Sequence, residues 1–337
     1  MPIPLDVIGC ADIFVRAHSH GLARLPERFV LRSFTDIDPQ KRTAFGKRYG
    51  VTRLYASVEE MLAATDGGAV LVATPTAQHA SPVIAALEAG RDVLCEKPMA
   101  MTLAEADAMV AAARRHNRVL QLCFMSRFAP CWMKIKELLD GGAIGTPITA
   151  TMTQYWESTP ALYRNWRTAA AVSGGGIIAD SAAHWIDILR WLLGEMVALT
   201  AAGIPAPDSP FPDVDDSSFV TFRFASGALG LLRNSWRHLR PDNEAETFEL
   251  YGDRGTILGN LQTPWIDGGI QKVRLVHQDN TCEYAFNDPM KRFENQLAAF
   301  ADTVEARTAD TAADGRRALE LQLAIYEAMR KRVWMDV

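Results

Sequence analysis

Residues 69–98 read AVLVATPTAQHASPVIAALEAGRDVLCEKP. Two short apolar runs, Ala69 to Ala73 and Asp92 to Cys95, flank a helical pattern from Gln78 to Ala89. A strand covered on both faces reads as a continuous apolar run, and such runs alternating with helices mark parallel βαβ units. Gly90 stands where a left-handed residue ends the helix. Ligands of parallel α/β sheets bind beyond the carboxyl ends of the strands. Both strands here are followed by residues able to do chemistry: Ala73-Thr74-Pro75 with His79, and Cys95-Glu96-Lys97-Pro98. A lysine at a strand end, partly desolvated, can exchange a proton with a substrate hydroxyl.

The same alternation extends to both sides. Leu5 to Ile8, Val30 to Phe34 and Val119 to Phe124 are further strand candidates, and Pro39 to Tyr49 and Leu103 to His116 are helical, with Gly50 at a C-cap. Gly9 follows the first strand and Asp36 closes the second, the layout of a dinucleotide-binding unit whose acidic residue takes the adenine ribose hydroxyls. The glycine fingerprint is incomplete: Gly9-Cys10-Ala11-Asp12-Ile13-Phe14 puts Ala11 where backbone approaches pyrophosphate and Phe14 where helix and strand pack closely, so the Phe14 ring must point away from that contact. Asp36 repels the extra phosphate of NADP and selects NAD, while Lys41 and Arg42 leave NADP as the lesser alternative. Phe34, Tyr49 and Tyr55 are assigned to packing.

Beyond Phe124 the texture changes. A helix from Cys131 to Leu139 ends at Gly141-Gly142, and β-rich sequence follows, which places a domain boundary near residue 125. In Ser218 to Phe224, Val220, Phe222 and Phe224 share one face and Phe219, Thr221 and Arg223 the other, the period of an antiparallel sheet. Glu246 to Tyr251, Lys272 to Gln278 and Cys282 to Phe286 are further strands, and Phe293, Leu297, Phe300 and Val304 fall at helical spacing. Pro205 to Pro212 holds four prolines and is a loop. A third constellation, Gly174-Gly175-Gly176-Ile177-Ile178-Ala179-Asp180 with His184 and Asp187, sets Asp180 and His184 at i and i+4 on one helix face. There a neutral imidazole can act as general base and the carboxylate can orient it or hold substrate.

Taken together, Thr74-Pro75 with His79, Glu96-Lys97-Pro98, Arg127-Phe128-Ala129-Pro130, Trp166-Arg167 and the run ending in Asp180, His184 and Asp187 resemble the Gfo/Idh/MocA oxidoreductases over nearly the whole chain. The resemblance implies an α/β fold: a Rossmann domain with a parallel sheet over 1–125, and an α+β domain over 126–337 whose large, mostly antiparallel open sheet serves substrate binding and oligomerisation. It implies a nicotinamide between the two, a cis Lys97-Pro98 bond as in some members, and proton transfer by Lys97 and His184 with Asp180 beside them. Gly9, Ala11, Asp12, Ile13, Asp36, Thr74, Pro75, His79, Glu96, Lys97 and Arg127 would hold NAD; Lys97, Arg127, Trp166, Asp180 and His184 would meet substrate. The implied reaction is hydride transfer between nicotinamide and a secondary alcohol or ketone of a sugar, cyclitol or aminosugar. Two alternatives stay open: a ketoreductase acting on a nucleotide-linked keto sugar, and a sensor that lost the dinucleotide, supported only by Ala11 and Phe14.

Composition narrows the partners. The 337 residues carry 35 Lys plus Arg against 40 Asp plus Glu, a net charge of −5, and no basic patch, which argues against nucleic acid. No apolar run spans a bilayer, and Met1 to Asp6 lacks a basic leader. Five scattered cysteines without a C-x-x-C pair fit a reducing cytoplasm, and the histidines show no metal-ligand spacing. The open sheet predicts a homodimer or homotetramer. The tryptophans Trp156, Trp166, Trp236 and Trp265 could stack on a sugar ring, though core packing is the simpler role for each. Asp213, Asp215 and Asp216 read as a solvated acidic loop, the alternative being a cluster that favours a cationic aminosugar.

Overall fold

The computed structural model describes residues 1–155, 166–205, 214–237, 246–261, 270–307 and 312–337. The chain divides into two compact units, residues 1–124 with 293–319, and residues 125–292 with 320–337.

The first unit is built on six strands, β1 (Ile3–Ile8), β2 (Phe29–Thr35), β3 (Arg53–Tyr55), β4 (Ala69–Val72), β5 (Asp92–Cys95) and β6 (Leu120–Leu122). They lie in the order β3-β2-β1-β4-β5-β6, all parallel. Every residue of β4 and β5 is buried, as sheet coverage on both faces requires. The crossovers include the helices α1 (Ser19–Ala23), α2 (Pro39–Tyr49), α3 (Val58–Ala64), α4 (Ala80–Glu88) and α5 (Leu103–Arg115). Sequence dictates where two of them begin. Asp38 accepts from the backbone N–H groups of Gln40 and Lys41 with Pro39 at the first turn of α2, and Thr102 with Glu105 forms a reciprocal capping box at α5. The strand order reverses between β1 and β4, so the turns after these strands flank the crevice where such sheets bind ligands.

The sequence pattern assigned everything beyond residue 125 to the second domain, and the structure differs. A helix α9 (Lys291–Ala306) places Leu297, Phe300 and Ala301 in the core of the first unit, where Phe300 stacks on Phe29 with ring centroids 6.4 Å apart. Ion pairs of Arg28 with Asp302 at 2.6 Å and of Arg307 with Asp92 at 2.8 Å tie its outer side to the same unit. Helical spacing reveals an apolar stripe but not which core it covers.

The second unit carries a nine-stranded sheet. Its strands are β7 (Pro147–Tyr155), β8 (Met196–Ile204), β9 (Ser217–Phe224), β10 (Leu229–Ser235), β11 (Glu246–Gly252), β12 (Thr256–Asn260), β13 (Gln271–His277), β14 (Asn280–Phe286) and β15 (Met335–Asp336). The order is β14-β13-β12-β11-β7-β10-β9-β8-β15, and among the described residues only the β7 and β10 pair is parallel. Val220, Phe222 and Phe224 of β9 are buried with Met152, Leu232 and Phe248. Against this face, Trp132 of α6 (Pro130–Asp140) meets Phe248 and Trp185. On the other face Phe219 is 55% exposed, and Leu229 and Tyr251 are also exposed. A short α7 (Ala170–Ser173) precedes α8 (Ala183–Leu193), and α10 (Ala312–Lys331) closes the described helices. None of these is long and apolar enough to cross a membrane.

Candidate active site

In the first unit, Gly9 ends β1 with φ +95°, and a Cβ there would lie 2.9 Å from the backbone of Ala73 at the end of β4. Only glycine meets both conditions. Asp36 reaches back from β2 to this turn: its carboxylate accepts from Cys10 N at 2.8 Å and Asp38 N at 2.9 Å. One acceptor therefore joins the glycine turn to the end of β2, and its remaining lone pairs suit ribose hydroxyls. Burial, with the Asp36 charge beside it, pushes the Cys10 thiol up to about 12, so it stays protonated. Arg42 donates to the Asp36 carbonyl at 2.5 Å. The Ala11 carbonyl accepts from Phe14 N, Ile13 leads into the helix, and Asp12 pairs with Arg16 on the surface at 2.5 Å.

Phe14 opens a five-residue π-helical turn, Phe14–His18, and its ring points into the core. It lies edge-on to Phe34 at 5.3 Å and to Tyr49 at 5.1 Å, with Phe45 completing the group. The helix is thus spaced from the sheet by an aromatic layer in place of the usual small-residue contact. Tyr49 and Phe34 pack as their residue types predict.

Beyond β4, Thr74 bonds the Gln78 carbonyl at 3.1 Å, and Pro75 leads into a short 3-10 turn. His79, expected among the cofactor contacts, is instead 1% exposed. Its Nδ1 faces the Pro98 carbonyl at 2.8 Å and its Nε2 the Thr74 carbonyl at 2.9 Å. With one nitrogen toward each carbonyl, the neutral ring donates its single N–H to one of them and packs between the loop after β4 and the loop after β5. Burial lowers its pKa against the pull of those carbonyls. At the end of β5, Lys97 precedes a cis bond to Pro98 and is partly exposed. Glu96 accepts from Lys97 N at 3.2 Å and faces His18 Nε2 at 2.7 Å. Burial pushes the Glu96 carboxyl up, but the His18 hydrogen bond and the charges of His18, Lys97 and His79 outweigh it and hold the carboxyl below its ordinary range. His18 was not legible as a site residue; the one signal was its place four residues after Phe14, on the same inward face.

In the second unit, Arg127 sits in the 3-10 turn Met125–Phe128 and grips Asp187 of α8 through two hydrogen bonds, 2.7 and 2.5 Å. Asp187 is fully buried, so this bidentate pair fixes the helix that carries His184, itself buried. Asp180 lies in a second π-helical turn, Ile178–Ala182, immediately before α8, with the Arg167 guanidinium at 3.4 Å. Single π turns inside helices occur often at functional sites. Arg167 also covers the Trp166 ring at 4.7 Å.

The acidic cluster is not a solvated loop. Asp215 and Asp216 are buried, which removes the basis for a cationic aminosugar; Asp213 lies outside the described residues. Asp215 accepts from Gly176 N at 3.0 Å, Ile178 N at 2.9 Å and the Tyr326 hydroxyl at 2.9 Å. A Cβ on Gly176 would overlap the Asp215 backbone. The glycine run therefore exists to seat this carboxylate under the Asp180 turn. Of the tryptophans, Trp236 is core, and Trp156 and Trp265 lie outside the described residues.

A parallel sheet with the 3-2-1-4-5-6 order, and a positive-φ glycine after its first strand beside a carboxylate that ends the second, is the layout of a dinucleotide-binding Rossmann fold. Comparison with known proteins makes this specific. Residues 5–124 match the oxidoreductase family model with an NAD-binding Rossmann fold, and residues 132–258 match the GFO/IDH/MocA C-terminal domain. Levoglucosan dehydrogenase of Pseudarthrobacter phenanthrenivorans is 30% identical over 73% of this chain and 71% of its own length. The 1,5-anhydro-D-fructose reductase of Ensifer adhaerens is 31% identical over 88% of this chain and 87% of its own. A solved levoglucosan dehydrogenase in complex with NADH and levoglucosan superposes with a TM-score of 0.87 and 25% identity, covering 100% of this chain and 99% of that one. The chain belongs to the Gfo/Idh/MocA family of NAD-dependent oxidoreductases.

Proposed function

We propose that the protein is an NAD-dependent dehydrogenase acting on a secondary alcohol of a neutral sugar or cyclitol, reversible toward the ketone. The observation that carries this reading is the Glu96-Lys97-Pro98 turn at the end of β5, where a partly exposed lysine sits against an ionised carboxylate in an NAD-binding sheet. Gly9, Ala11 to Ile13, Asp36, Thr74 and Pro75 would hold NAD, which supplies the hydride acceptor when bound. Lys97 or His184 takes the hydroxyl proton as the carbinol C–H bond breaks, and returns it in the reverse direction. Asp180, Trp166 and Arg127 belong to the substrate side, with Arg127 acting chiefly through Asp187. His79 positions the loops around Thr74 and Lys97. The relatives' substrates, levoglucosan and 1,5-anhydro-D-fructose, support a cyclic polyol.

The buried positions of four cysteines, all five being free thiols, support a reducing cytoplasm. The exposed Phe219, Leu229 and Tyr251 on the outer sheet face support a homodimer or homotetramer, to be read by light scattering. The deciding experiment follows NADH formation with levoglucosan and myo-inositol, and NADH consumption with 1,5-anhydrofructose, in wild type, Lys97→Ala and His184→Ala. Turnover that both substitutions leave intact would remove the assignment.

A further inference from the structure

Resting on that reading, we propose that His18 is a positioning residue for proton transfer at Lys97, acting through Glu96. A carboxylate held below its ordinary range only accepts hydrogen bonds, so the His18 Nε2 that faces Glu96 at 2.7 Å is the donor. The Cys123 thiol, at the end of β6, donates to the same carboxylate and is pushed well above its ordinary range, first by burial and then by the Glu96 charge. Lys97 N is the third donor, at 3.2 Å. Three donors from three segments converge on one carboxylate, and two of their owners, His18 and Cys123, are buried. The Nε2 or Nδ1, carboxylate oxygen and Sγ of His18, Glu96 and Cys123 lie within 4.8 Å of one another, close enough for one carboxylate to gather both side chains.

The sequence context gives the arrangement its purpose. His18 ends the π turn that Phe14 begins. Phe14 anchors one end of that turn in the aromatic layer against β2 and α2, and His18 anchors the other on Glu96. The residue that breaks the glycine fingerprint and the residue that grips the catalytic loop are thus two ends of one turn. Glu96 in its turn places a fixed negative charge beside Lys97 and holds its backbone N–H at 3.2 Å. Without the His18 donor the carboxylate is free to swing, and Lys97 loses its reference point.

The test compares His18→Gln, whose amide reaches the Nε2 position, with His18→Asn, whose amide stops near Nδ1. Both are polar, and both are checked by thermal melting and by NADH titration through tryptophan energy transfer. H18N should lower kcat about tenfold or more with KM and NADH affinity within about threefold of wild type, and H18Q should recover most of that loss. Equal kcat in H18N and wild type overturns the proposal, as does equal loss in both variants, which marks a purely structural histidine. Lys97→Ala measured alongside keeps the two levels apart: if it leaves turnover unchanged, the assigned chemistry fails; if it abolishes turnover while H18N does nothing, only the role of His18 fails.

Discussion

The Tyr326 hydroxyl, from the helix near the C-terminus, donates to Asp215 Oδ1 at 2.9 Å and accepts from Gly176 N at 3.2 Å. It closes a clamp in which one buried carboxylate and one phenol hold the backbone just before Asp180. Burial raises the Asp215 pKa against the hydrogen bonds it accepts, and it raises the Tyr326 pKa well above the ordinary phenol value with the Asp215 charge adding to it. Tyr326→Phe keeps the ring and removes one of three donors, so it should cost about 1–2 kcal/mol in urea unfolding. Asp215→Asn is predicted to cost more, because its amide turns a donor toward the N–H of Gly176 or Ile178 where an acceptor is required. Turnover should fall in the same order, D215N below Y326F. A Y326F enzyme as stable as wild type would show that the clamp contributes nothing.

The Arg127 and Asp187 pair poses a different question, since a buried ion pair need not stabilise relative to apolar packing. Removing one partner strips the other of this bidentate contact, and Asp187→Ala should destabilise by about 3 kcal/mol. Replacing both, as R127M with D187L, should recover most of that stability. Activity should not return with it, because the hydrogen-bonded register of α8 that presents His184 is lost. A double variant with restored turnover would mean that the pair serves stability alone.

What could be read from sequence follows the distance over which each signal acts. β4 and β5 were legible because burial on both faces writes itself as an unbroken apolar run, and the alternation in β9 was legible because one face of that sheet is open. β3 and α3 were not named, being three and seven residues long, with only Met61 buried between them. Lys97 and Asp36 stood out because ligands of parallel sheets bind beyond the strand carboxyl ends, and Asp180 and His184 because their i, i+4 spacing follows a glycine run. The roles of His18, Asp215 and Tyr326 depend on partners 78, 39 and 111 residues away and leave no local pattern. The same holds for α9, whose stripe is visible and whose destination is not.

Cofactor choice should turn on Asp36. Its carboxylate accepts two backbone N–H groups, and in the proposed site it takes the adenosine end, where an added 2′-phosphate would meet its charge. Asp36→Ser is predicted to weaken NADH binding about tenfold, roughly 1.4 kcal/mol, and to strengthen NADPH binding. Arg42, already bonded to the Asp36 carbonyl, is near enough along the chain to accept the phosphate once the carboxylate is gone. Fluorescence titration with both dinucleotides checks this; unchanged discrimination would place the adenosine elsewhere.

His79 predicts how stability responds to pH. Burial sets its folded-state pKa below the 6.5 of an exposed imidazole, with the Thr74 and Pro98 carbonyls pulling the other way. The unfolded chain therefore takes the proton more readily, and stability rises with pH wherever the two states differ in protonation. The contribution is complete above about pH 6.5 and is lost as the pH falls toward the lower folded-state value, with a slope of at most about 1.4 kcal/mol per pH unit. This window lies above that of Glu96, whose folded value is depressed and which adds its own loss only near and below 4.5; Asp215, whose folded value burial raises, acts in the opposite sense, its contribution falling as the pH rises above 3.8. His79→Gln keeps a side-chain donor for one of the two carbonyls and removes the titration. Urea unfolding at pH 7.5, 6.5 and 5.5 should show wild type weakening toward acid and H79Q staying nearly flat, although less stable at pH 7.5. If H79Q keeps the wild-type slope, another group titrates in that range and the imidazole is only a spacer between the two loops.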